Sequence, residues 1–178
     1  CRDLVCNHRL NDIRYCNNTL SSGWSCAIVD ATLTGDHNSI AIGTNNRPHI
    51  AYRTTISQYC NKSTGTWTCA TTSSQVNGGV SPSLSLDSNN RAYIAQGNTT
   101  TEILQYCNNT IGSWSCTTVT PAGTAMRYPS ISIDSNGKFH IVFHNSSTNL
   151  DLSYCNNTAS DNSWSCTNIE TINSVGWH

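Results

Sequence analysis

The feature that most constrains this chain is a cysteine-bounded phrase that occurs four times: YCNNTLSSGWSC at 15–26, YCNKSTGTWTC at 59–69, YCNNTIGSWSC at 106–116 and YCNNTASDNSWSC at 154–166. The leading tyrosines, Tyr15, Tyr59, Tyr106 and Tyr154, follow one another at steps of 44, 47 and 48 residues. A period of that size belongs to repeat architectures, in which each unit is one supersecondary element that buries its face only against its neighbours. Within each copy the tip varies in length while both cysteines and the Trp-x-Cys ending persist. A hairpin tip can absorb an insertion, whereas two bonded cross-strand positions cannot. The spacing therefore predicts four disulfides, Cys16–Cys26, Cys60–Cys69, Cys107–Cys116 and Cys155–Cys166. Metal ligation is the poorer reading, because zinc sites use a short C-x(2–4)-C spacing that these pairs lack.

A second phrase lies between the hairpins: SIAIGTNNRPHIAY at 39–52, SLSLDSNNRAYIAQ at 83–96 and SISIDSNGKFHIVF at 130–143. Apolar and small polar residues alternate, a turn of Asp or Gly followed by Ser/Thr-Asn-Asn/Gly intervenes, and the alternation resumes, which is the pattern of a β-hairpin. Each repeat thus yields four short antiparallel strands, the size of one propeller blade. No window carries capped helical periodicity. The predicted fold is all-β: four tandem four-stranded antiparallel repeats, β-propeller-like, divided as 1–38, 39–82, 83–129 and 130–178, within one domain.

Here the chain resembles the blade-like repeats of secreted proteins related to the sialidase-type repeat. In those, a strand like PSISIDSNGKFHIVF precedes a hairpin ending in Gly-x-Trp. Gly65-Thr66-Trp67 and Gly112-Ser113-Trp114 match that ending, Gly23-Trp24 lacks the spacer, and Asn162-Ser163-Trp164 lacks the glycine. The Ser-x-Asp opening of the sialidase Asp-box is replaced throughout by Cys-Asn-Asn or Cys-Asn-Lys. The resemblance implies blade geometry and carries no warrant for the enzyme.

The register of the ends adds an expectation. Residues 2–8 sit where a second strand belongs, so the first repeat lacks its first strand and the array has fifteen strands where four full blades need sixteen. At the other end, 174–178 resembles the approach to a further first strand. An incomplete blade leaves an open edge, and open edges are templates for another chain. Three readings compete: a piece of a longer array, subunits docked head to tail into a filament, and a closed four-blade ring with a distorted first blade. Cys1 and Cys6 lie at this end. Parity favours a disulfide between them, an intersubunit bridge comes second, and a lipidated amino-terminal cysteine last.

Composition excludes several partners. Charged residues are 11% and net charge is −1, so no basic field exists to hold nucleic acid or an anionic membrane surface. No run of eighteen apolar residues occurs, so no membrane-spanning helix is expected. Ten cysteines, eight already paired by pattern, imply an oxidising, extracellular or cell-surface setting. Polarity comes from 24 Ser, 23 Thr and 22 Asn. Six Asn-x-Ser/Thr sequons result, at Asn17, Asn61, Asn98, Asn108, Asn145 and Asn156. That count is what chance gives, but the register is not: Asn17, Asn61, Asn108 and Asn156 each follow the first hairpin cysteine, and Asn98 and Asn145 occupy matching loops. Covalent N-glycans at these positions are expected; the rival is asparagine as a turn former.

Catalysis has the weakest support. Seven arginines (Arg2, Arg9, Arg14, Arg47, Arg53, Arg91 and Arg127) follow no triad pattern, Glu102 and Glu170 are the only glutamates, and no nucleophile-base motif appears. Asp87 and Asp134 read as turn residues rather than calcium ligands, because Gly43 stands in the equivalent place. Of the six histidines, only His140 and His144 are closely spaced, and at four residues apart on a strand they are too distant to be adjacent metal ligands. Trp24, Trp67, Trp114 and Trp164 are expected to pack beside the disulfides as core; exposed, they would be stacking platforms for sugars. No cofactor is expected. The reading is a non-enzymatic extracellular structural glycoprotein, the protomer of a fibre or surface assembly whose partner is a copy of itself. The alternative is a multivalent, lectin-like carbohydrate-binding module.

Overall fold

The structure is a computed structural model that describes residues 3–8, 12–19, 23–31, 35–73, 78–147, 151–157 and 163–170. Four antiparallel sheets follow one another along the chain, each a meander. The first holds β1 (Asp3–His8), β2 (Asp12–Thr19) and β3 (Gly23–Asp30). The second holds β4 (Asp36–Ile42), β5 (Pro48–Arg53), β6 (Ser57–Asn61) and β7 (Thr68–Thr71). The third holds β8 (Gly78–Leu86), β9 (Ala92–Asn98), β10 (Ile103–Asn108) and β11 (Ser115–Thr118). The fourth holds β12 (Met126–Ile133), β13 (Phe139–Asn145), β14 (Asp151–Asn157) and β15 (Trp164–Glu170). Among the described residues, the first sheet has no counterpart of β4, β8 and β12.

The repeated turn explains its own composition. Asn46, Asn90 and Gly137 hold φ of 58°, 62° and 75°, a left-handed conformation that asparagine and glycine tolerate best. At Asp134 the carboxylate accepts the amides of Asn136 and Lys138, both at 2.8 Å, and Asp87 does the same for Asn89 and Arg91 at 2.9 Å. These aspartates hold the turn closed, as the sequence suggested.

Each first strand also starts ahead of its phrase and passes through a bulge, between Asp36 and Ser39, Val80 and Ser83, and Arg127 and Ser130. The bulges place His37, Ser81 and Tyr128 at φ of 47°, 50° and 49°. Sequence alternation does not reveal them, because the repeated alternating phrase begins only at Ser39, Ser83 and Ser130, after the bulge.

Successive sheets stack face to face. Ile13, Tyr15 and Val29 of the first sheet join Ile50, Tyr52 and Cys60 of the second. On its other face the second sheet supplies Ala51 and Tyr59 to Leu84, Ala92, Ile94 and Cys107 of the third. The third then supplies Tyr93, Ala95, Leu104 and Tyr106 to Ile131, Phe139, Ile141 and Phe143 of the fourth. Alternation along β5 and β9 thus buries both faces of each inner sheet. The first strands align along one side, β8 lying against β4 and β12. There the Ser39 hydroxyl accepts the Leu84 amide at 3.0 Å, and Ser83 accepts the Ile131 amide at 3.1 Å. No core cluster joins the first sheet to the fourth among the described residues.

Candidate functional site

The element that recurs is the joint between sheets. Tyr15 meets Trp67 at 5.6 Å between ring centroids, Tyr59 meets Trp114 at 5.0 Å, and Tyr106 meets Trp164 at 5.3 Å. In each joint the tyrosine before the first hairpin cysteine of one repeat receives the tryptophan before the second cysteine of the next. The edge-on geometry of the first two is the arrangement that ring quadrupoles favour. Trp67, Trp114 and Trp164 are half-buried by these contacts, so they act as core. Trp24 departs from that expectation and is 54% exposed, because no described sheet precedes it.

Each joint rests on a cross-strand disulfide. Cys16–Cys26, Cys60–Cys69, Cys107–Cys116 and Cys155–Cys166 are all bonded between directly paired positions, with Cα atoms 4.0–4.1 Å apart. Four bonds of this kind belong to an oxidising environment. Cys1 lies outside the described residues. Cys6 is described only as a backbone position of β1 opposite Arg14.

A tyrosine–histidine brace supports two of the tyrosines. His49 Nδ1 and the Tyr59 hydroxyl lie 2.6 Å apart, as do His140 Nδ1 and the Tyr154 hydroxyl. Burial lowers the His49 pKa and pushes the Tyr59 phenol up to about 12. His140 also lies 3.5 Å from an Asp134 carboxylate oxygen. His144 is separate from this pair: it is buried, and its pKa is lowered by burial and by nearby Arg127, against the pull of Asp151. His8 lies on β1, and His178 is outside the described residues. Among the described residues, no group of three or more His, Cys, Asp or Glu side chains could hold a metal ion.

The six sequons are not equivalent in the fold. At Asn61, the side-chain oxygen accepts both the amide and the hydroxyl of Ser63, at 3.1 and 2.5 Å. Asn108 does the same with Thr110 at 3.2 and 2.7 Å, and Asn145 with Ser147 at 3.1 and 2.6 Å. These three are half-buried, with exposed turn residues after them. Asn98 is 3% exposed and its oxygen accepts the Thr100 and Thr101 amides. Asn156 is half-buried and donates to the Tyr154 hydroxyl at 3.1 Å. Asn17 pairs with Ser25 across β2 and β3. At Asn61, Asn108 and Asn145 the side chain therefore closes the turn that follows it.

Of the arginines, Arg14 pairs with Asp12 at 2.8 Å and Arg91 with Asp87 at 2.6 Å. Both are held by neighbouring turn or strand carboxylates rather than gathered in one cleft. A groove of about 210 Å³ between the third and fourth sheets is lined by Asp87, Arg91, Tyr93, Thr110 and Phe139. A second, of about 360 Å³, includes Thr120, Thr124, Phe143, Ser153 and Asn168. Among the described residues no helix is long and apolar enough to cross a membrane.

No protein-family model matches the chain, and no curated protein matches it in sequence. Solved structures match its fold. AofleA from Arthrobotrys oligospora superposes with a TM-score of 0.63 at 10% identity, over 96% of this chain and 54% of that one. An exo-β-1,3-galactanase from Phanerochaete chrysosporium, crystallised with β-1,3-galactotriose, gives 0.58 at 12%, over 92% and 44%. The NanB sialidase of Streptococcus pneumoniae gives 0.54 at 13%, over 82% and 26%. The chain thus spans about half the length of the first two structures and a smaller part of the third. At these identities the likeness is one of fold alone, and at that level it agrees with the sialidase-type resemblance of the repeats.

Proposed function

We propose that this chain is a non-catalytic extracellular structural module, a rigid arc of propeller-like sheets that serves as the protomer of a fibre or surface assembly and carries N-linked glycans. The observation that carries the reading is the joint itself. It is repeated three times with the same tyrosine–tryptophan pair and the same disulfide support, so the molecule is built by addition of like sheets rather than around one cleft. The dispersal of Arg14 and Arg91 into local ion pairs, and the use of Asp87 and Asp134 as turn clamps, support a non-catalytic role. The joint face and the turn sequons support self-assembly with glycan-covered loops.

A second reading is saccharide binding. It is favoured by the matched galactanase, which was crystallised with a galactotriose, and by the groove beside Asp87, Arg91 and Thr110, whose polar lining offers hydrogen-bond partners to a sugar.

Electron microscopy of the native material, with intact-mass analysis before and after enzymatic deglycosylation, tests the first reading. Polymers whose subunit mass exceeds the 19.4 kDa polypeptide are the expected result. Monodisperse particles of unmodified mass would refute it, and binding of those particles to a glycan array would establish the second reading instead.

A further inference from the structure

Resting on the structural reading above, we infer that the outer faces of the first and fourth sheets are the two halves of one further tyrosine–tryptophan joint, and that the partner filling it is a second copy of this chain. The first half is the plug. Trp24 and Ile28 lie on the disulfide face of β3 and are 54% and 48% exposed. In the three following repeats the equivalent tryptophan sits against a tyrosine of the preceding sheet.

The second half is the receptor. In the second sheet Tyr59 pairs across the strands with Ala51, in the third Tyr106 pairs with Ala95, and all four residues are buried beneath the next sheet. In the fourth sheet the equivalent pair is Tyr154 and Val142. Val142 is 37% exposed and Tyr154 only half-buried. Tyr154 is nevertheless oriented like its buried counterpart, since His140 braces its hydroxyl at the same 2.6 Å that His49 keeps from Tyr59. The tyrosine that holds Trp114 at 5.0 Å is therefore repeated on the fourth sheet with its histidine brace and with Val142 in the place of Ala51, and the ring to meet it is repeated on the first.

These complementary halves lie on different faces of the molecule, which makes the contact heterologous. Each copy can plug one neighbour and receive another, so association propagates head to tail into a ring or a filament according to the rotation per copy. The low charge of the chain, net −1, offers little repulsion to such stacking.

Sedimentation velocity on the oxidised, full-length chain from micromolar to millimolar concentration tests this. Wild type is expected to show concentration-dependent association. Trp24→Ala and Tyr154→Ala are each expected to weaken it at least tenfold. An equimolar mixture of the two should form a heterodimer that grows no further, because one copy keeps only the receptor and the other only the plug. Val142→Glu, on an exposed strand position, repeats the receptor test without touching the His140–Tyr154 brace, and circular dichroism checks that each variant folds. A wild type that stays monomeric, with Trp24 covered by its own chain or by further repeats of it, would overturn both this inference and the assembly reading. Polymers that persist in all three variants would overturn this joint while leaving the assembly reading standing.

Discussion

Removal of the ring at an internal joint should cost several times more than removal of the same ring at the open face. In Trp114→Ala the half-buried indole is lost from its contact with Tyr59, 5.0 Å away, and from the cluster around Leu84 and Ile94. If roughly 120 Å² of the ring is removed from water by folding, the transfer term is about 3 kcal/mol at 25 cal/mol per Å². The edge-on aromatic pair adds about 1 kcal/mol, and the entropy of ordering the side chain offsets about the same amount. The expected loss is therefore about 3 kcal/mol for Trp114→Ala. For Trp24→Ala, with more than half of the ring already in water, it is below about 1 kcal/mol. Urea unfolding followed by far-ultraviolet circular dichroism, at concentrations where the copies are separate, measures both. With a slope of about 2 kcal/mol per molar, the midpoint should fall by about 1.5 M for Trp114→Ala. Equal shifts for the two variants, or a shift under about 0.5 M for Trp114→Ala, would refute the view that the tryptophans are plugs whose worth is set by the facing sheet.

Three further outcomes follow from the same geometry. Replacing Cys60 and Cys69 together by serine should lower stability by about 2.7 kcal/mol through loop entropy alone, and further because Cys60 is fully buried; reductant, which opens all four bonds, should lower the wild-type midpoint further than this variant's. Burial holds His49 neutral below its ordinary pKa of 6.5, so the unfolded chain binds more protons just below that pH. Stability should then fall as pH drops from 6.5 towards the folded-state value, with a slope that flattens in His49→Gln when urea midpoints are compared across pH 4–8. Peptide mapping of the native protein should find glycans at Asn61, Asn108 and Asn145 and an unmodified, buried Asn98; a fully occupied Asn98 would contradict its placement at 3% exposure.

Much of the fold was legible because it is specified locally. The variable tip between two constant cysteines implied a cross-strand bond, and all four hairpin pairings are present. The alternation in SISID and KFHIVF implied strands, and the intervening Asp-Ser-Asn-Gly implied a turn whose left-handed residue is Gly137. The bulges at His37, Ser81 and Tyr128 were not legible, since the extra residue of a bulge is set by the neighbouring strand and leaves no period in the sequence.

What the sequence determined by itself is the unit: its length, strands, staple and turn, all governed by contacts within about 45 residues. What only the tertiary structure decided is which copies of one motif are equivalent. Trp24 and Trp114 are the same word in the sequence, and so are Asn98 and Asn145. One tryptophan faces solvent and the other a tyrosine, while Asn98 is buried and Asn145 only half-buried although the side-chain oxygen of each closes the turn that follows it. The physical reason is that burial belongs to pairs of sheets. A residue's exposure depends on whether a neighbour stands against its face, and a repeated sequence repeats the face without stating what covers it.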